Sequence, residues 1–343
     1  MRLHKFSEVD AFVALDLDGA DAASGPVRWA RKILQGGAKD LARSQTYTYA
    51  ALQMRRSGAS AGINAEAPAR AEAVAAFVAE AAALVADGTY LPDAAKGVGE
   101  GDLAPLRDGD SRNVGRLGAF AAASDAVSAA TAAEAVVRLD GATAVIEGLS
   151  ATGAALATEV AARGGRVVAV SSAEGALSAS GGLDAAALAE AWTDNGDKAL
   201  SALAGSDDGL AEPGALWGIA ADMVFAGSKM GVVHHGVAEG LQCRALVPIG
   251  RLAYTSKALA VCRREGIAAV PDFVALAGST VAAWSSPDAG DDEVRAEIAS
   301  IVAALMEEAL TSDDGPFLGA CYAAEAFMST WQDELPFGRP LAS

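Results

Sequence analysis

Histidine and cysteine are scarce, with three of each in 343 residues. Cys243, Cys262 and Cys321 are far apart, and no CxxC or His/Cys spacing suits the clustered ligands of a zinc site. His234 and His235 are the only paired histidines; adjacent residues on a strand or helix point apart and cannot close on one ion. No metal site is expected. An odd, dispersed set of cysteines points to reduced thiols and a cytoplasmic home. Basic clusters are also missing. Lys+Arg total 26 against 44 Asp+Glu, a net charge of −18. With no basic block to meet phosphates, nucleic-acid binding is not expected. No run of about 18 uncharged apolar residues occurs, so no membrane span is expected. The start, MRLHKFSEVD, has no apolar h-region, so no secretory signal is read there. The G-x-S-x-G elbow of acyl transfer is absent, because 148–153 reads G-L-S-A-T-G.

What is present is apolar material: 52% hydrophobic against 20% charged residues, enough for one or two cores. At roughly 150 residues per domain, the length fits about two domains. In the first block, AFVALDLDG (11–19) alternates as a half-buried strand, with Asp16 and Asp18 read at a strand edge facing water. Residues 37–56 read as a helix. APARAEAVAAFVAEAAALVADG (67–88) reads as another, with a stripe through Val74, Phe77, Val78, Ala81, Leu84 and Val85. The second block alternates strand and helix: TAVIE (143–147), a helix ending at Gly164, RVVAVSS (166–172) and a helix over 183–196. Short apolar runs follow at 221–227, 245–250 and 268–273, the last preceded by the helix YTSKALAVCRREG. That order predicts a doubly wound, mostly parallel sheet covered on both faces. Two helices, 293–310 and 317–334, close the chain.

VIEGLSATG (145–153) carries the sharpest motif. A dinucleotide turn of the form G-x-G-x-x-G joins a strand to a helix; here Gly148 is the first glycine, Ser150 stands at the second and Gly153 is the third. The first allows the tight turn and the third lets helix pack on strand. The helix start near Thr152 offers free N–H groups and the positive end of its dipole to a phosphate. The ribose-reading acid belongs at the end of the next strand, where Ser171 and Ser172 stand instead. Serine can bond a ribose or a 2′-phosphate, which leaves NAD and NADP both open.

Four segments in order resemble the glutamate/leucine/phenylalanine/valine dehydrogenases. GPVRWARK (25–32) is similar to a Gly-Pro-x-x-Gly-Gly-x-Arg segment, and DLARSQTYTYAAL (40–52) to a Leu-Ala-x-x-Met-Thr-Tyr-Lys-x-Ala helix. VVAVSSAEGALSASGGLDAAAL (167–188) resembles the family's strand-two region, and GIAAVPDFVALAG (266–278) its Gly-Ile-x-x-x-Pro-Asp-x-x-x-Asn-Ala-Gly. The resemblance implies an α/β chain of two domains: an N-terminal α/β substrate and assembly domain, and a Rossmann-type doubly wound dinucleotide-binding domain. The first would take residues 1–122 with the C-terminal helices from about 290 to 343, the second residues 123–289. It implies an NAD(P)-dependent amino-acid oxidoreductase.

The family's deamination uses a lysine that holds the substrate carboxylate, a second lysine that activates water and an aspartate that moves protons. In this chain the matching positions read Thr48, Ala61 and Ala95. The paired glycines become Trp29 and Ala30, and the asparagine becomes Leu276. Trp29, Thr48, Ala61 and Leu276 therefore mark a remodelled substrate pocket. Of seven lysines, Lys96 lies beside the expected acid and is the candidate catalytic group. Lys229 follows a strand at the sheet's carboxyl edge and joins Gly148, Ser150, Thr152, Gly153, Ser171 and Ser172 as the expected cofactor contacts. Lys39 reads as a surface residue. Two functions stay open: an oxidoreductase with an altered small-molecule substrate, or a silent nucleotide-binding relative serving as a regulatory or partner subunit. The apolar residues of the last helix exceed what a surface helix needs and should be buried against the first domain or a neighbouring chain; the family's assembly through its N-terminal domain points the same way, and a homodimer or larger even-numbered oligomer is expected, with the 11–19 region at or near the interface.

Overall fold

The computed structural model describes residues 1–204 and 209–342. Its first sheet is built from β1 (Arg2–Lys5), β2 (Ala11–Leu15), β3 (Ala23–Ala30), β4 (Ser57–Asn64) and β5 (Leu91–Ala94), in the order β1-β2-β4-β3-β5. β2 runs antiparallel to β1 and β4, whereas β3 is parallel to β4 and β5. Helix α1 (Gln35–Ala51) lies on one face and α2 (Arg70–Ala86) on the other. All five residues of β2 are buried, against the half-buried pattern expected. Val13 and Leu15 join the core containing Phe77 of α2, while Phe12 and Ala14 pack with Ala38 of α1.

The two-sided cover also overturns the reading of Asp16 as water-facing. Asp16 is buried, and its carboxylate accepts both Nε and Nη2 of Arg43, at 2.7 Å each. Arg43 in turn donates to the carbonyls of Phe337 and Gly338, so the C-terminal segment covers the pair. Asp18 is exposed. β4 has a small-residue sequence, SGASAGIN, because α1 crosses directly over it: a Cβ at Gly58 would stand 1.9 Å from the Ala42 carbonyl oxygen.

After α3 (Glu100–Leu103) comes α4 (Ala119–Val136), a long helix the sequence reading did not assign. The expected domain boundary at 122–123 falls inside it. The second sheet follows: β6 (Thr143–Glu147), α5 (Ala151–Ala162), β7 (Arg166–Ser171), β8 (Ala176–Ser178), α6 (Ala185–Asn195), α7 (Ala199–Ala204), β9 (Met223–Ala226), α8 (His235–Ala238), β10 (Ala245–Pro248), α9 (Ser256–Glu265) and β11 (Ala268–Ala269). Strand order is β11-β10-β9-β6-β7-β8, parallel except for β8. The order reverses at β6, between β7 and β9, which makes the carboxyl ends of β6 and β9 the crevice where such sheets bind ligands. Short helices α10 (Asp272–Ala275) and α11 (Gly278–Ala283) lead to α12 (Asp291–Leu310) and α13 (Pro316–Met328). α12 and α13 share the larger core with the second sheet, and Tyr47 of α1 donates to Glu325 of α13 at 2.9 Å. Among the described residues no helix is long and apolar enough to cross a membrane.

Candidate functional site

β6 ends at Glu147 and the chain turns at Gly148, whose φ of +92° is a conformation side chains resist. A Cβ there would also stand 2.5 Å from the Ser228 amide nitrogen, so this turn and the one after β9 touch backbone to backbone. The Gly148 and Leu149 N–H groups donate to the Ser171 carbonyl at 3.1 and 2.7 Å. Ser150 caps α5, its Oγ accepting the Gly153 N–H at 3.2 Å. Among the described residues the N–H groups of Ala151 and Thr152 make no hydrogen bond, and they remain available at the positive end of the helix dipole. Glu147 ties the crevice together by accepting the N–H groups of Gly227 and Ser228, both at 3.1 Å. At the end of β7, Ser172 Oγ accepts the Glu174 N–H, while the Glu174 carboxylate accepts from Ser201. The turn that would meet a ribose thus keeps its polar groups for itself.

A cavity of about 810 Å³ opens from this edge toward the first sheet. Ser150, Thr152, Ser228 and Lys229 line it from the second sheet, and Ser24, Arg28, Asp93 and Lys96 from the first. Tyr49 and Trp284 stand between them; the Trp284 indole N–H donates to Tyr49 Oη at 3.1 Å, and Tyr49 Oη lies 2.5 Å from Ser24 Oγ.

The charged groups of this cavity are unevenly partnered. Arg112 is satisfied by Asp110 and Asp93. Among the described residues Arg28 has no carboxylate partner and its buried Nε has no acceptor, and burial lowers its pKa. Arg251, in the loop after β10, donates from Nη1 to Ser44 Oγ and Thr48 Oγ1 at 3.1 Å each. No carboxylate lies within ion-pairing distance of it among the described residues. Asp272 lies nearby, accepting Ser44 Oγ at 2.7 Å and the Leu252 N–H at 2.8 Å, and burial raises its pKa against the pull of Arg251. Asp125, on α4, lines the cavity and accepts the Ser279 N–H at 2.7 Å. Burial pushes its carboxyl up to about 7, opposed by that N–H and by Arg251. A carboxyl that exchanges protons near neutrality inside a cleft can act as a general acid or base.

Of the residues singled out from the sequence, Lys96, Ser150, Thr152, Lys229 and Leu276 line this one cavity. Lys96 and Lys229 are exposed at its rim. Gly148, Gly153, Ser171 and Ser172 shape the turn behind it. Thr48 is buried under Arg251. Of the expected substrate-pocket residues, Trp29, Thr48 and Ala61 do not line the cavity. Ala61 is buried within β4, paired with Val13 on one side and Val27 on the other. Trp29 packs against Gly97, and its indole N–H is buried without a partner. Arg28, Asp125 and Arg251 were not foreseen. Only Asp125 left a local trace, as the lone charge in FAAASDAVSAATAA.

Comparison with known proteins agrees with this architecture. Residues 115–313 match the family model for glutamate/leucine/phenylalanine/valine dehydrogenase. Among solved structures, the chain is similar to the hetero-hexameric glutamate dehydrogenase of Thermus thermophilus, at 21% identity and a TM-score of 0.76 over 93% of this chain and 84% of that one. It is similar to glutamate dehydrogenase of Plasmodium falciparum, at 14% identity and a TM-score of 0.73, with 94% and 80% covered. L-tryptophan dehydrogenase of Nostoc punctiforme matches at 17% identity and a TM-score of 0.64, with 96% and 95% covered. At these identities the likeness establishes the fold. No curated protein matches the sequence.

Proposed function

The chain belongs to the glutamate/leucine/phenylalanine/valine dehydrogenase family, and from that premise we propose that it is an NAD(P)-dependent oxidoreductase with a remodelled substrate site. The observation that carries this reading is the cavity joining the Gly148–Gly153 turn to a floor of unevenly partnered charged groups, Arg28, Arg251 and Asp125 among them. The turn fits a dinucleotide: the Ala151 and Thr152 N–H groups are free, and the bare backbone at Gly148 leaves no side chain over them. Ser150 and Thr152 would hold the pyrophosphate, and Lys229 would stand at its rim. When bound, the dinucleotide supplies the hydride acceptor; this chain's residues orient the substrate and carry its proton. Ser171 and Ser172 carry no charge, whereas the Glu174 carboxylate stands in the same turn; NAD and NADP are both carried as the cofactor.

Thr48 and Ala61, where lysines are expected, favour a second reading: a catalytically silent nucleotide-binding homologue acting as a partner subunit. Titration with NADH and NADPH, followed by nicotinamide fluorescence, tests the shared part. Saturation of either supports nucleotide binding, and no saturation at millimolar concentration rules out both readings. Reduction of bound NAD or NADP by any small acid then separates the active enzyme from the silent one. The unpaired cysteines suit a reducing cytoplasm. We also propose assembly into a homo-oligomer, supported by apolar side chains left exposed at Leu34, Leu335 and Phe337.

A further inference from the structure

We propose that Arg251 and Asp125 form a site for a 2-hydroxy acid and its 2-oxo acid, Arg251 holding the carboxylate and Asp125 exchanging the proton of the 2-hydroxyl. This rests on the reading above and names its substrate class.

Arg251 is half-buried, lines the cavity and, among the described residues, is steadied by two neutral hydroxyls, those of Ser44 and Thr48. A guanidinium so placed has donors to spare, and a carboxylate accepts them in pairs. It reaches Thr48 from the opposite sheet, so it lies where the two halves of the cavity meet. Asp125 enters from α4 with one oxygen fixed by the Ser279 N–H. Asp125 and Arg251 line the same cavity, so one ligand bound there can meet both.

The chemistry selects a hydroxy acid over an amino acid. Oxidising an amine leaves an imine, which needs a further base to bring in water. Oxidising a 2-hydroxyl needs one base only. The C2–H bond breaks and its electron pair leaves as hydride to the oxidised nicotinamide. The O–H bond breaks and its proton passes to the Asp125 carboxylate. A C=O bond forms, giving the 2-oxo acid. In reverse, protonated Asp125 donates to the 2-oxo oxygen. Among the described residues no histidine lines the cavity, and the lysines at its rim are exposed.

The charged groups that act on Asp125 across the cavity are Arg251 after β10 and Asp93 on β5. Asp272 on α10 shares Arg251 with it. Arg28, Lys96, Glu100, Arg112 and Lys229 stand elsewhere around the cavity. Of the other elements packed on α4, α5 brings Glu159, which pairs with Arg163 and with Arg295 of α12. The turn at 114–116 brings Arg116, paired with Asp291. None of these elements carries a histidine.

The test is calorimetric binding of pyruvate, 2-oxohexanoate and phenylpyruvate, with and without NADH, at about pH 5.5 and about pH 8.5. The acidic form of Asp125 should bind the oxo oxygen, so binding is tighter at the lower pH. Around a midpoint of about 7 the protonated fraction falls from roughly 97% to roughly 3% between these values, and Kd rises roughly 30-fold. Asp125→Asn should flatten that dependence. Arg251→Met should weaken binding at least ~10-fold at both pH values, Arg251→Lys less, and Arg28→Met little. Thermal melts check that each variant folds. The proposal is overturned if none of the three acids binds at millimolar concentration under either condition. It is also overturned if the pH dependence survives Asp125→Asn, or if Arg28→Met and not Arg251→Met abolishes binding. NADH saturation is scored separately, so loss of nucleotide binding and loss of acid binding are distinguished.

Discussion

Substituting Gly148 and Gly153 in turn separates the two glycines of the phosphate turn. At Gly148 an alanine meets two obstacles. The φ of +92° places a Cβ in a region that costs of order 1–3 kcal/mol for a residue other than glycine. The Cβ would also stand 2.5 Å from the Ser228 amide nitrogen, a backbone atom with no rotamer by which to withdraw. The turn after β9 must shift, taking Ser228 and Lys229 with it. Gly153 has no such φ, and its Cβ would stand 3.1 Å from the Gly148 carbonyl oxygen, so a few tenths of an ångström relieve it. At 1.4 kcal/mol per tenfold, Gly148→Ala should weaken NADH or NADPH binding by ~10–100-fold, and Gly153→Ala by less than ~5-fold. Fluorescence titration of both variants reads the effect, and thermal melts monitor the fold. Equal losses, or wild-type binding by Gly148→Ala, would refute the claim that the contact between the β6 and β9 turns builds the cradle.

Three further outcomes follow from particular contacts. Asp16→Ala leaves Arg43 buried with only the Phe337 and Gly338 carbonyls, and should cost about 3 kcal/mol in urea unfolding, with a smaller loss in the Asp16→Ala/Arg43→Met pair; a cost under ~1 kcal/mol contradicts the buried ion pair. The Asp125 carboxyl sits near 7 when folded against an ordinary 3.8, so its contribution is fully present below about pH 4 and is lost as pH rises through 7. Asp125→Asn should therefore gain on wild type across that window, by roughly 4 kcal/mol at most, and a constant difference would count against the assignment. Light scattering at micromolar concentration should give a mass above the 34.3 kDa of one chain; salt near ~0.15 M screens the charge of −18 that drives subunits apart.

The second sheet was the most legible part of the molecule. TAVIE is a continuous apolar strand between a polar approach and Gly148, and β6 spans those same five residues. The stripe of 67–88 became α2 because one side chain in three or four is large and apolar. α4 was missed for the opposite reason: AFAAASDAVSAATAAEAV is alanine and serine on every side, so no face contrasts with another. β4 was likewise hidden, since its small residues answer to the closeness of α1 rather than to strand propensity. Lys96, Ser150, Thr152, Lys229 and Leu276 share one cavity, but Arg28, Asp125 and Arg251 in it were not foreseen. Arg251 and Asp125 lie 126 positions apart in the sequence, and only the fold turns them toward one space.

The most direct measurement is a crystal of the full chain soaked with NADH or NADPH. The account predicts the pyrophosphate within hydrogen-bond distance of the Ala151 and Thr152 N–H groups, with the nicotinamide end entering the cavity between Asp125 and Arg251. A dinucleotide bound elsewhere, or a crevice that stays empty at millimolar ligand, would contradict it.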